Sequence, residues 1–183
     1  ATFTLKTALQ TLREHGQESW VLFVDLVKAY DTVNREMLWK ILKILGVPDN
    51  LIEVLKKLYT DVTINLRVGE KLEQFLSTSG VKQGDNLAPV LFIFVIHAVS
   101  NLLDKKWEFE TPDLRWFPDT QAGKPRGQLR GTNHSNKGIK FSFFKSYYVD
   151  DTAFIFLNRG ELVTASKLIV AHFRRFGLTI HTG

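Results

Sequence analysis

The sequence predicts an α+β fold, an antiparallel sheet backed by helices, and three observations carry that prediction. Apolar residues recur at helical spacing in several separate stretches, and runs rich in Val, Ile, Phe and Tyr lie between them. The elements also follow one another as α, β, αα, ββ, α, a long irregular segment, ββ, α, β, and not as repeated βα units. At 183 residues, 44% of them apolar, the chain is long enough to bury a real core.

Each element has a local reason. From Thr4 to Glu14, Leu5, Ala8, Leu9 and Leu12 share one helical face, and Gly16 ends the helix. Trp20 to Leu26 is a continuous apolar run interrupted only by Asp25 near its end, which predicts a strand buried on both faces. Asn34 is placed to cap a helix through Met37, Leu38, Ile41, Leu42 and Leu45, with Gly46 and Pro48 ending it. Leu51 to Tyr59 repeats the helical pattern. Val62 to Val68 and Leu72 to Ser77, joined by Gly69-Glu70, predict a β-hairpin.

Gly80 to Asp85 forms a loop leading into an apolar helix from about Asn86 to Leu103. The longest apolar run, Leu87 to Val99, is broken by Pro89 and His97, and reads as a buried helix too short to cross a bilayer. An irregular region follows from Trp107 to about Lys137, with Pro112, Pro118 and Pro125 in it. Lys140 to Tyr148 and Thr152 to Leu157 then read as two arms around Asp150-Asp151. A last helix spans Glu161 to Phe176, ended by Gly177, and Leu178 to Gly183 starts another strand.

Composition excludes several function classes. Cys is absent, so disulfides and Cys-based zinc sites are ruled out, and the five His show no metal-ligand spacing. No signal peptide or membrane span is visible, so an intracellular location is the default, with nucleus and cytoplasm not distinguished. The chain opens on Ala1 and stops inside a strand-like pattern, and is expected to be a piece of a longer protein.

A net charge of +5 and a pI near 9.4 favour an anionic partner. An irregular basic insertion over 104–145 carries Lys124, Arg126, Arg130, Lys137, Lys140 and Lys145, with no acidic residue from Thr120 onward. Such a stretch suits sequence-independent phosphate contact, and equally a solvated loop.

The chemistry concentrates in three segments. Tyr148-Val149-Asp150-Asp151 sets two adjacent carboxylates at a predicted hairpin tip, and Asp25 closes another strand. Adjacent carboxylates repel unless a cation lies between them, and three from two strands suit a paired Mg²⁺ site. Taken singly, an Asp-Asp turn and an Asp at a strand end are ordinary structural features. The third segment, Gly80-Val81-Lys82-Gln83-Gly84-Asp85, has glycines that allow close backbone approach, so that Gln83 can donate to and accept from a nucleotide or template. By itself it is also a plain turn before a helix.

Together the three resemble the palm of reverse transcriptases, most closely those of non-LTR retrotransposons. The likeness rests on Phe23-Val24-Asp25 with Lys28-Ala29-Tyr30-Asp31, on Gly80 to Asp85 with Leu87-Ala88-Pro89, and on Tyr148 to Asp151, in that order. It covers nearly the whole chain, 1–183, as a catalytic palm fragment with partial fingers and no thumb. The resemblance implies Asp25, Asp150 and Asp151 as metal carboxylates, with Asp151 the more peripheral and the backbone carbonyl of Val24 or Leu26 as an extra ligand. It implies Tyr30 as the aromatic that excludes a 2′-hydroxyl, Gln83 and Gly84 as nucleotide and template contacts, and Tyr148 near the primer end. The implied cofactor is a pair of Mg²⁺ ions, with Mn²⁺ able to substitute. The implied partners are an RNA template, a DNA primer and dNTPs, with no membrane. The fingers and thumb regions of a parent polyprotein would complete the enzyme.

Rival readings remain. An RNA-dependent RNA polymerase shares the palm and the paired Asp, but tends to carry a carboxylate where Tyr30 stands, and Asp31 is one residue late. A catalytically inactive RNA-binding remnant would use only the basic insertion, and would not need Asp25, Asp150 and Asp151 intact.

Overall fold

Helical spacing at Leu5, Ala8, Leu9 and Leu12 becomes α1 (Thr2–Glu14) in the computed structural model, which describes residues 2–117, 128–131 and 139–181. Gly16, at φ +66°, lets Gln17 return its N–H to the Leu12 carbonyl at 2.9 Å and closes the helix. The chain continues through β1 (Trp20–Val24), α2 (Arg35–Ile44), α3 (Asp49–Tyr59), β2 (Thr63–Val68), β3 (Lys71–Leu76) and α4 (Leu87–Asp104). Then come β4 (Asp113–Phe117), β5 (Gln128–Gly131), β6 (Ile139–Ser142), β7 (Lys145–Tyr148), β8 (Asp151–Phe156) and α5 (Arg159–Arg174). These elements divide between two units, Ala1–Asp25 with Trp107–Ile169, and Leu26–Lys106 with Val170–Gly183.

In the first unit β8 is the central strand, antiparallel to β1 on one side and β7 on the other. Both of its faces are covered from Thr152 onward. Ile155 packs on Ala8 and Leu12 of α1 and on Leu114 of β4, all buried. The opposite face carries Phe154 and Phe156, whose rings stack on Trp107 at 5.7 and 5.8 Å between centroids. Each fully buried Leu or Phe contributes about 1.5–3 kcal/mol, so this sandwich fixes the strand that opens at Asp151.

Three sequence expectations fail here. Strand β1 is not buried on both faces, since Phe23 is 72% exposed. It is an edge strand of an antiparallel sheet, which needs only one apolar face. The stretch after Trp107 is not irregular throughout, because β4, β5 and β6 pair into a sheet of order β5-β4-β6. The run from Lys140 to Tyr148 is not a single arm either. Its first part, β6, pairs with β4, and only β7 pairs with β8.

In the second unit Asn34 caps α2 as predicted, its Oδ1 accepting from the Met37 N–H at 2.9 Å. Leu38, Trp39 and Leu42 of α2, Ile52, Leu55 and Tyr59 of α3, and Phe92, Val95 and Val99 of α4 are buried. Helix α4 runs 18 residues, five more than its apolar run, and is long and apolar enough to cross a membrane by length and composition. The expectation of a segment too short for a bilayer therefore fails on length, and one face of the helix, from Ala88 to Leu103, is buried. Strands β2 and β3 form the predicted hairpin, with every residue exposed. Near the chain's end Leu26 faces Ile180 in an isolated bridge, and the Val27 N–H donates to the Thr179 carbonyl at 2.8 Å.

Candidate active site

The acidic site of the first unit follows from strand register. Val24 lies opposite Thr152, so Asp25, the next residue, comes level with Asp151 on the neighbouring strand. Tyr148 lies opposite Asp151 on the other side. Side chains alternate along a strand, so Asp151 shares its face with Ala153, and Tyr148 shares its face with Ser146. Asp25, Asp151, Tyr148, Ser146 and Val24 all line one cavity of about 310 Å³. Asp25 and Asp151 are exposed to solvent. Ser146 was not anticipated from sequence, although its place two residues before Tyr148 is the signal that would have found it.

Asp150 occupies the turn and is half-buried, and it is not among the side chains lining that cavity. The preceding Val149 has φ +58°, a left-handed conformation costly for a β-branched residue. The resemblance implied Asp151 as the more peripheral carboxylate, whereas Asp151 is the one that shares the cavity with Asp25. Among the described residues no three His, Cys, Asp or Glu side chains stand close enough to hold a metal ion. Two accessible carboxylates on adjacent strands still fit a hard divalent cation, because Mg²⁺ is commonly held by one or two carboxylates, water and substrate phosphates. None of the three Asp forms an ion pair with another described residue.

The other candidate residues belong to the second unit. Leu26 is buried at its bridge to Ile180. Tyr30 is half-buried, its ring 5.1 Å from that of Phe92. Gln83 is exposed and Gly84, also exposed, takes φ +89°. The loop that bears them is anchored at Lys82, whose Nζ donates to the Leu58 carbonyl at 3.0 Å and lies 5.4 Å from the centre of the Tyr59 ring. Burial pushes the Tyr59 phenol above its ordinary pKa, and Asp85 pushes it the same way.

Of the basic insertion, Lys124, Arg126 and Lys137 lie outside the described residues. Lys140 is ion-paired with Asp113. Lys145 sits over the rings of Phe144 and Tyr147 at 5.2 and 5.9 Å. Part of the positive charge expected to meet phosphate is thus already engaged within the protein.

A family model described as reverse transcriptase (RNA-dependent DNA polymerase) matches residues 2–183, and the chain belongs to that family. It is 31% identical over 104 residues to a retrovirus-related Pol polyprotein from the type-1 retrotransposable element R2 of Popillia japonica, a match covering 56% of this chain and 17% of the relative. Against the Pol polyprotein of the type-2 element R2DM of Drosophila melanogaster it is 28% identical over 89 residues, 48% of this chain and 8% of that protein. The chain therefore spans less than a fifth of the length of either relative. Solved structures share the fold. Apo telomerase from Candida Tropicalis, truncated from its C-terminal domain, superposes with a TM-score of 0.62 at 18% identity, over 97% of this chain and 32% of that one. Telomerase from the same source, in complex with a TWJ fragment of telomeric RNA, gives 0.63 at 15% identity, over 98% and 27%. As a family, reverse transcriptases use divalent metals and bind a nucleic-acid template and primer.

Proposed function

We propose that this chain is the catalytic palm portion of a retroelement RNA-directed DNA polymerase, extending a DNA primer from its 3′-hydroxyl on an RNA template. One observation supports the reading above others: Asp25 and Asp151, far apart in sequence, line one cavity together with Tyr148. Asp25, Asp151 and Asp150, with the Val24 carbonyl, would hold Mg²⁺. Bound there, a pair of Mg²⁺ ions supplies activation of the attacking hydroxyl and charge stabilisation of the leaving pyrophosphate.

The chain's own residues do the positioning, which carries most of the catalysis in phosphoryl transfer. Tyr148, at the rim of the same cavity, packs against the primer end. Tyr30 blocks a ribose 2′-hydroxyl, and Gln83 with Gly84 contacts the incoming nucleotide and template. An aromatic at position 30, with no carboxylate there to accept a 2′-hydroxyl, favours deoxynucleotides.

The test is Mg²⁺-dependent extension of a DNA primer on RNA by the protein of the whole reading frame that carries this chain. Asp25→Asn, Asp150→Asn and Asp151→Asn should each lower the rate by about a hundredfold or more. Metal-free thermal stability should hold or rise slightly, since each change removes like-charge repulsion. Full-rate extension by Asp150→Asn, or a wild-type preference for NTPs, would overturn the reading.

A further inference from the structure

Arg35 is the first residue of α2, yet its side chain turns back toward the approach to the Gly80 loop. A guanidinium has five N–H donors, and here all five are engaged. Its Nε donates to the Gly80 carbonyl at 2.8 Å. One terminal nitrogen donates to the carbonyls of Tyr59 and Ser77 at 3.0 and 2.9 Å. The other donates to the Ser77 hydroxyl and the Ser79 carbonyl at 3.0 and 2.9 Å. The plane also lies 5.3 Å from the centre of the Tyr59 ring. None of these acceptors is a carboxylate, so this cation serves as a clamp on four backbone carbonyls and one hydroxyl.

What it clamps is joined independently to the turn that bears Tyr30. The Gly80 N–H donates to the Val33 carbonyl at 2.9 Å and the Val81 N–H to the Tyr30 carbonyl at 2.8 Å. The Ser79 hydroxyl adds a bond to the Asp31 carbonyl at 3.2 Å. Gly80 sits so close that an added Cβ would meet Asp31 Cα and O at 2.7 Å and the Tyr30 carbonyl at 2.8 Å. Its φ of +77° disfavours any side chain as well. Tyr30 lies at one end of this seam, and Gln83 and Gly84 lie three and four residues beyond Gly80 at the other.

We propose that Arg35 is a positioning residue for nucleotide selection: by fixing residues 77–81 against the Tyr30–Val33 turn, it sets Tyr30 and Gln83–Gly84 at one separation. The inference rests on the polymerase reading of those three residues. With every N–H engaged, Arg35 itself does not grip phosphate. Lysine cannot replace it, having a point charge and three donors where a planar fork is required.

The experiment is steady-state primer extension by the protein of the whole reading frame, comparing wild type with Arg35→Lys, Gly80→Ala and the milder Ser77→Ala. Displacing Tyr30 from the Gln83 loop should raise the dNTP KM of Arg35→Lys and Gly80→Ala by about tenfold and lower the dNTP-over-NTP preference. Ser77→Ala, which removes one acceptor, should move both in the same direction by less, and primer–template affinity should not change. A purely structural role would lower melting temperature and active fraction while leaving KM and preference alone. If Arg35→Lys and Gly80→Ala fail to fold, Ser77→Ala decides. Wild-type KM and preference in every folded variant would overturn the inference while the polymerase reading stands. A wild-type protein that extends no primer would overturn that reading, and the inference with it.

Discussion

His172 is 3% exposed, and its Nε2–H donates to the Val99 carbonyl at 3.0 Å. Burial lowers its pKa from the ordinary value, the Val99 bond opposes this in part, and Lys106 and Arg175 lower it further. The unfolded chain therefore binds this proton more readily than the folded one. The stabilising contribution is complete above the ordinary histidine pKa of about 6.5 and is lost as pH falls from there toward the depressed folded value. Melting temperature should drop between about pH 7 and pH 5, and the drop should be smaller in His172→Gln. Equal slopes in the two proteins would remove this role. Of the candidate site, Asp25, Tyr148 and the Asp pair were readable as residue types. Which Asp shares the cavity with Asp25 was not, because a one-residue change in where β8 begins moves every side chain to the opposite face. The structure starts β8 at Asp151 and leaves Asp150 to the turn.

The hairpin of β2 and β3 was legible from two apolar runs around Gly69-Glu70, but its exposure was not. Ile64 pairs with Phe75, and Leu66 and Val68 lie on the same face, making an apolar row open to solvent. A two-stranded sheet, unpaired at both edges among the described residues and carrying such a row, is prone to associate. Phe75→Lys should therefore shift this chain toward monomer in concentration-dependent sedimentation, with melting temperature held because nothing buried is removed. Unchanged association would place the sticky surface elsewhere. Strands β4 and β5, and the partner of β6, were not legible for a different reason. They are four or five residues long, set among Gly, Pro and basic residues, and their pairing is decided by partners distant in the chain. Helices α2 and α3 were readable because their signals are local: a capping Asn, a single apolar stripe, and Gly46 with Pro48 between them.

For the whole molecule, the formal charge of +5 overstates what a polyanion meets. Lys140 is paired with Asp113, and the guanidinium of Arg35 faces four carbonyls, a hydroxyl and an aromatic ring. A cation held that way displaces no condensed sodium from a phosphodiester chain, however strongly it counts on paper. In a plot of log affinity against log salt for RNA of arbitrary sequence, Arg35→Gln should leave the slope where it was. A decrease of about one in that slope would mean the side chain swings out to phosphate. With the slope unchanged, what this position demands is a planar fan of N–H donors rather than a positive charge, so lysine, which keeps the charge and loses the fan, would not restore what Arg35 does.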